Sequence, residues 1–271
     1  MSAELSVSHL TKRFEPGTPN EKVALDDFSL EAERGEFITI LGSNGAGKST
    51  LFNAILGKFL PDRGRILLDG EDITYFKDHK RAIDIGCLYQ NPLRGTAPSM
   101  TIEENLAMAY TRNASKSFFA VNRRDSAHFR ELLASLDLGL EDRMKTKMGL
   151  LSGGQRQAAS LLMATIAKPK LLLLDEHTAA LDPATSVKVL GITRQIVAEN
   201  GLTALMITHD MSMALGFGNR TVMMDSGRLV LDLSGRERID MTPRKLADLF
   251  SSRAGHALSD RTMLAPGFRT S

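Results

Sequence analysis

Gly42-Ser43-Asn44-Gly45-Ala46-Gly47-Lys48-Ser49 fits the pattern G-x-x-x-x-G-K-[ST] at every fixed position. Ahead of it, Phe37 to Leu41 is a short apolar run rich in β-formers. Behind it, Ser49 to Leu60 has helical spacing. Strand, glycine-rich loop and helix is the order a phosphate loop requires. Backbone N–H groups wrap a phosphate only where side chains do not intervene, hence the glycines. The helix that follows offers its first amides and its positive dipole end to the same anion. Lys48 suits the β and γ phosphates. The Ser49 hydroxyl suits Mg²⁺, a hard ion that prefers oxygen, and Thr50 offers the next N–H and hydroxyl. Gly42, Ser43, Asn44, Gly45, Ala46, Gly47, Lys48, Ser49 and Thr50 are thus the candidate nucleotide-binding residues. The loop alone does not choose between ATP and GTP.

Residues 4–14 and 22–32 form two runs separated by turns, which suits a small antiparallel sheet. Gly64 to Leu68 and Ile83 to Tyr89 read as strands. Residues 91–100, with two prolines, read as loop. Thr101 with Glu104 matches a capping box, and 102–148 reads as mostly helical. Leu150 to Ala167 holds a loop and a helix. Lys170 to Asp175 and Leu202 to Thr208 are continuous apolar runs of buried parallel-strand type, with a helix at Val187 to Glu199 between them. Asp210 to Gly216 reads as a further helix, and Thr221 to Leu233 as a hairpin turning at Asp225-Ser226-Gly227. Thr242-Pro243 opens a short helix to about Phe250. The fold class expected is α/β: a P-loop core with a parallel sheet, an N-terminal antiparallel β subdomain and an inserted helical subdomain. The boundaries expected are one domain over 1–241 with the insertion at 93–165, then a short helix and a loose tail over 242–271.

Composition narrows the function classes. The chain has 271 residues, 34 basic and 32 acidic, so its net charge of +2 makes no electrostatic case for nucleic acid. Within the cluster Lys77 to Arg81, a solvated basic face is expected. One cysteine, Cys87, excludes an intrachain disulfide, fits a reducing compartment and reads as buried filler. Met1-Ser2-Ala3-Glu4 has neither a basic start nor an apolar run after it, so no signal peptide is expected, and no apolar stretch approaches the roughly 20 residues of a membrane span. If the chain works at a membrane, another chain must do the spanning.

Leu151-Ser152-Gly153-Gly154-Gln155 stands just before a helix and makes a second anion site. A chain with one phosphate loop has no evident internal use for it. A head-to-tail dimer explains it, each copy closing this peptide over nucleotide held by the other. Asp175 ends a buried strand, so its carboxylate can reach a crevice and hold Mg²⁺. Glu176 can polarise an attacking water. His209, after another buried strand, can bond a γ-phosphate or position water, and the Gln90 carbonyl can reach Mg²⁺. Phe14 can stack on a base or pack in the core. Asp182 precedes Pro183 and can cap a helix, make a dimer contact, or both.

From about residue 4 to 240, these landmarks, in this order, resemble the ATP-binding cassette ATPases. The resemblance assigns 42–49 to the phosphate loop, Gln90 to the Q-loop, 151–155 to the signature and Leu171 to Glu176 to the Walker B strand with its glutamate. It assigns Ala180-Leu181-Asp182 to the D-loop, His209 to the switch histidine and Phe14 to the adenine contact. It implies Glu176, His209 and Lys48 as catalytic, Ser49, Gln90 and Asp175 as metal-binding, and ATP with Mg²⁺ as cofactors. Two departures stand out. His177 replaces the proline common after Glu176 and is expected on the surface. Helix residues from Ala158 onward are more apolar than the usual arginine-containing version.

The resemblance also implies partners. They are a second copy or a related ATPase, integral membrane permease subunits docked near Pro92 to Met100, and indirectly an extracytoplasmic solute-binding protein. The expected place is the cytoplasmic face of the plasma membrane. The stretches around Glu176 to Asp182 and Leu205 to His209 look similar to ATPases of bacterial importers with a lipoprotein-type binding protein, some of which handle aromatic amino acids. A soluble cassette switch on a non-membrane partner and the motor of an exporter are the alternatives.

Overall fold

A computed structural model describes residues 3–112 and 123–255. The chain divides into two compact units, one of residues 1–81 with 202–271, the other of residues 82–201.

In the first unit, β1 (Ala3–Phe14) and β2 (Lys22–Glu33) pair antiparallel, and β4 (Arg63–Leu68) pairs with the other edge of β1. A two-residue strand, β5 (Glu71–Asp72), extends this sheet. The alternating burial along β2, from Phe28 through Leu30 to Ala32, is the period-2 pattern of a sheet with one face in the core. In the same unit β3 (Phe37–Gly42) is buried along its whole length, as a strand flanked on both sides must be. It runs parallel to β8 (Thr203–Ile207) on one side and β9 (Arg220–Asp225) on the other. β10 (Arg228–Ser234) returns antiparallel to β9 through the turn at Ser226-Gly227.

α1 (Lys48–Ile55) follows the glycine loop. It ends five residues before the expected Leu60, because Gly57 enters the left-handed region at φ 75° and its amide closes back on Ala54 O at 3.1 Å. α2 (Asp78–Arg81) ends at a residue read above as part of a solvated basic face. That expectation is wrong for Arg81, which is 2% exposed. Its guanidinium donates to the carbonyls of Phe76, Ala54, Ile55 and Thr74 at 2.7–2.9 Å, so the charge sits at the negative end of α1. Helices α7 (Met211–Gly216), α8 (Gly235–Ile239) and α9 (Pro243–Ala254) complete the unit. Leu246 and Phe250 of α9 bury themselves against Leu41, Met211, Met223 and Leu231. Of the expected tail, residues 252–254 belong to α9, and 256–271 lie outside the described residues.

The second unit holds β6 (Ile85–Leu88) and β7 (Leu171–Asp175), paired parallel. Its helices are α3 (Ile102–Thr111), α4 (Arg123–Ala134), α5 (Gly153–Thr165) and α6 (Pro183–Asn200). The capping box expected at Thr101 and Glu104 is present in both directions. Of the helix expected over most of 102–148, residues 113–122 lie outside the described residues, and past Ala134 the expectation fails. There Asp137 (φ 51°) and Gly139 (φ 65°) take left-handed conformations, and turns carry the chain to Lys147. α6 starts at Pro183, four residues before the expected Val187, because Asp182 caps it and proline tolerates the first helical position. No helix among the described residues is long and apolar enough to cross a membrane.

Candidate functional site

The first unit carries the phosphate loop. Gly42 closes β3, and Met224 O would lie 2.4 Å from a Cβ placed there. Gly47 has φ 103°, and Ala24 O would lie 2.5 Å from its Cβ. Both positions demand glycine on steric grounds. No side chain caps α1 at Gly47, so its first-turn amides face the loop that precedes them. Lys48 Nζ folds back onto the carbonyls of Gly42 and Ser43 at 2.5 and 3.0 Å, which holds its ammonium against the start of the loop. Ser49, Asn44 and Gly45 are exposed and Thr50 is half-buried. The loop is pinned from outside, since Gly227 N donates to Ala46 O at 3.0 Å.

His209 lies at the same end of the unit. β8 runs parallel to β3, with Ile207 opposite Ile40, and Thr208 N donates to Ile40 O at 3.1 Å. The strand ends carrying the loop and His209 are therefore neighbours. Asp210 caps α7 by accepting from Met213 N at 2.9 Å, which fixes the turn holding half-buried His209. Phe14 ends β1 and is 38% exposed. It meets Phe59 edge-on at 5.5 Å, with Lys12 Nζ 5.7 Å from its ring centre. One face of an aromatic pair is thus partly available, while the pair is already packed.

The second unit carries the carboxylates. β6 and β7 run parallel with Leu88 opposite Leu174, so Gln90 and Glu176 emerge from adjacent strand ends. Gln90 Nε2 donates to Glu176 Oε2 at 3.4 Å. Glu176 holds φ 42°, a left-handed conformation uncommon outside glycine and concentrated at functional sites. Asp175, half-buried, is the last residue of β7. His177 is not on the surface as expected. It is 3% exposed, and burial drives its pKa down from 6.5 to about 4. Thr193 Oγ1 gives its proton to Val189 O at 2.8 Å and so accepts from His177 Nε2 at 3.2 Å. That assigns the neutral imidazole its tautomer. Cys87 is half-buried, more open than the filler role expected of it.

The signature peptide opens α5. Ser152 caps the helix by accepting from Gln155 N, and Gln155 Oε1 accepts from Ser152 N, both at 3.3 Å. Leu151 is buried, while Ser152 and Gly153 are exposed. Gly154 faces inward, where a Cβ would come within 2.1 Å of Thr185 Cγ2. Asp182 accepts from Thr185 N at 3.1 Å, and its hydrogen bonds with Thr185 lower its pKa. Gln157, fully buried, donates to Tyr89 O at 3.4 Å and ties the signature helix to the strand end carrying Gln90.

Three arginines, one of them read from sequence as a solvated face and two given no role there, hold these elements through backbone carbonyls. Arg81 closes α1. Arg238 closes α7 with bonds to Ala214, Leu215 and Phe217 carbonyls and to Thr221 Oγ1. Arg156 takes the carbonyls ahead of the signature. Their partners are backbone atoms, which leave no pattern in the sequence.

Residues 25–179 match the family described as ABC transporter. The tyrosine transport ATP-binding protein of Clostridioides difficile is 41% identical over 84% of this chain and 91% of its own length. The methionine import ATP-binding protein MetN of Rhizobium johnstonii is 39% identical over 76% of this chain and 56% of its own length. Among solved structures, the ATP-binding cassette MJ0796, in a post-hydrolysis dimer bound to ADP and Pi, superposes with a TM-score of 0.74. That alignment has 26% identity over 85% of this chain and 98% of the cassette. The chain belongs to the ABC transporter family, as an ATP-binding subunit that hydrolyses ATP to drive transport.

Proposed function

We propose that this chain is the motor of an importer of a small solute, an amino acid being the class its first relative favours. It works as a head-to-tail pair of cassettes on membrane permease subunits, at the cytoplasmic face, with an extracytoplasmic protein delivering the solute. The observation that carries the hydrolytic role is Glu176. Its backbone is held at φ 42°, and its carboxylate meets Gln90 at the ends of two parallel strands.

In this reading Gly42 to Gly47 and the first turn of α1 wrap the phosphates with backbone amides. Lys48 exchanges its carbonyl bonds to Gly42 and Ser43 for phosphate oxygens. Glu176 accepts a proton from the attacking water, and His209 steadies the γ-phosphate from the end of β8. Phe14 offers its open face to adenine. Leu151, Ser152, Gly153, Gly154, Gln155 and Asp182 serve the nucleotide held by the other copy, with exposed Ser152 and Gly153 supplying the direct contacts.

Mg²⁺ fits this donor set. No group of three or more metal-ligating His, Cys, Asp or Glu side chains exists among the described residues. Mg²⁺ in nucleotide sites takes one or two protein oxygens and completes its shell with phosphate and water. Ser49 Oγ, Asp175 and the Gln90 carbonyl are the oxygens proposed for it. Bound there, the ion would neutralise developing phosphate charge.

Permease docking is supported by a cavity of about 230 Å³ in the second unit, lined by Cys87, Tyr89, Pro92, Met108, Arg112 and Met163. Arg112 Nε and Nη2 are buried there without a hydrogen-bond partner. The test is capture of tagged Glu176→Gln from solubilised native membranes with ATP. A multi-span permease in the eluate supports the importer reading. A soluble partner with no membrane protein refutes it.

A further inference from the structure

We propose that Arg156 is a positioning residue, one that sets the signature peptide in its ATP-receiving shape before a second copy arrives. The proposal rests on the reading of 151–155 as the half-site for the other copy's nucleotide. Arg156 sits in the first turn of α5 and turns its guanidinium back over the incoming chain. Its Nε donates to Met148 O at 3.2 Å, and its Nη2 donates to Gly149 O at 3.0 Å and Leu151 O at 2.7 Å. These carbonyls belong to the tight turn Met148–Leu150 and to the first signature residue. Three acceptors drawn to one cation cannot splay apart, so the path of the chain into Ser152 is set by Arg156. The turn is anchored on its far side, where Met148 N and Gly149 N donate to Met100 O and Pro98 O at 2.9 Å.

The rest of the signature is held separately. Gln155 Oε1 accepts from Ser152 N and from Arg143 Nη1, and Gln155 Nε2 donates to Leu138 O. The capping box therefore orients Ser152 relative to α5, while Arg156 orients Leu151 and the turn before it. Leu150 is 72% exposed and Leu151 is 4% exposed, so the chain changes from surface to core across the bond that Arg156 spans. Without the guanidinium this step would sample several conformations, and dimer closure would bear the cost of ordering it.

The experiment measures ATP-driven dimerisation by light scattering in the Glu176→Gln chain, with and without Arg156→Met, which keeps the apolar stem and removes the donors. Binding of a fluorescent ATP analogue to the monomer is measured in parallel, because the phosphate loop lies in the other unit. The expected result is unchanged monomer binding with the ATP concentration for half-dimerisation raised about tenfold or more, from the loss of charge-assisted bonds. Arg156→Lys, which keeps the charge and a donor, recovers part of the shift and serves as the test variant if Arg156→Met does not fold. Unchanged dimerisation in Arg156→Met, or in Arg156→Lys where that variant is used alone, overturns the proposal. A Glu176→Gln chain that binds ATP but never dimerises with Arg156 intact overturns the two-copy reading itself, and the positioning role with it.

Discussion

His177 lets acid stability be worked out from one side chain. Its imidazole is buried and neutral, with a pKa of about 4 against 6.5 for an ordinary histidine. Above pH 6.5 the folded and unfolded chains both hold it neutral, so it contributes no pH dependence. Between 6.5 and 4 the unfolded chain takes up a proton that the folded chain refuses, so stability falls as pH falls. Below 4 both forms are protonated and the loss levels off. At about 1.4 kcal/mol per pH unit, the full loss approaches roughly 3 kcal/mol, of which roughly 2 kcal/mol has accrued by pH 5. The perturbation is His177→Gln, which can still donate to Thr193 Oγ1 and does not titrate. Urea denaturation of both chains at pH 7.5 and pH 5.0 gives four stabilities, and the variant should lose roughly 2 kcal/mol less on acidification. The other five histidines are common to both chains and cancel in this difference. Equal losses in the two chains would refute the buried, neutral assignment.

Two further perturbations test the scaffold of the site. Arg81→Met removes the donor to four carbonyls, two of them at the end of α1, and should cost about 3 kcal/mol in chemical denaturation. A loss under about 0.5 kcal/mol would show that Arg81 is not the cap of α1. Gly47→Ala brings a Cβ to 2.5 Å from Ala24 O at φ 103°, so ATP affinity by calorimetry should fall at least about tenfold. Unchanged affinity would show that the loop adopts another backbone when nucleotide binds.

The strand, glycine loop and helix around 42–49, the buried strand ending at Asp175 and the capped helix after Ser152 were legible because each is a backbone requirement written in residue type. Gly42 and Gly47 are glycines because carbonyl oxygens stand where their Cβ atoms would be. Leu171 to Leu174 are apolar because β7 is buried there. What escaped the sequence depends on atoms that sequence does not encode. Arg81 and His177 read as surface residues, since a charged or polar side chain usually faces water. Their partners are the carbonyls of α1 and a hydroxyl sixteen positions away on α6. The end of α1 and the turns after Ala134 were missed for another reason. Positive φ at Gly57, Asp137 and Gly139 interrupts segments whose side-chain pattern still looks helical.

The arginines give the site a common construction. Arg81 holds the far end of the phosphate-loop helix, Arg238 the far end of the helix after His209, and Arg156 the chain entering the signature. In each case a cation collects backbone carbonyls at or beside the end of a helix or turn.

Single-turnover hydrolysis of bound ATP, compared between the wild-type chain and Glu176→Gln, measures what the Glu176 carboxylate contributes to cleavage. The variant is expected to bind ATP as the wild type does and to cleave it about 10²–10⁴-fold more slowly, the loss of a general base. Cleavage near the wild-type rate would contradict that role and remove Glu176 from the chemistry.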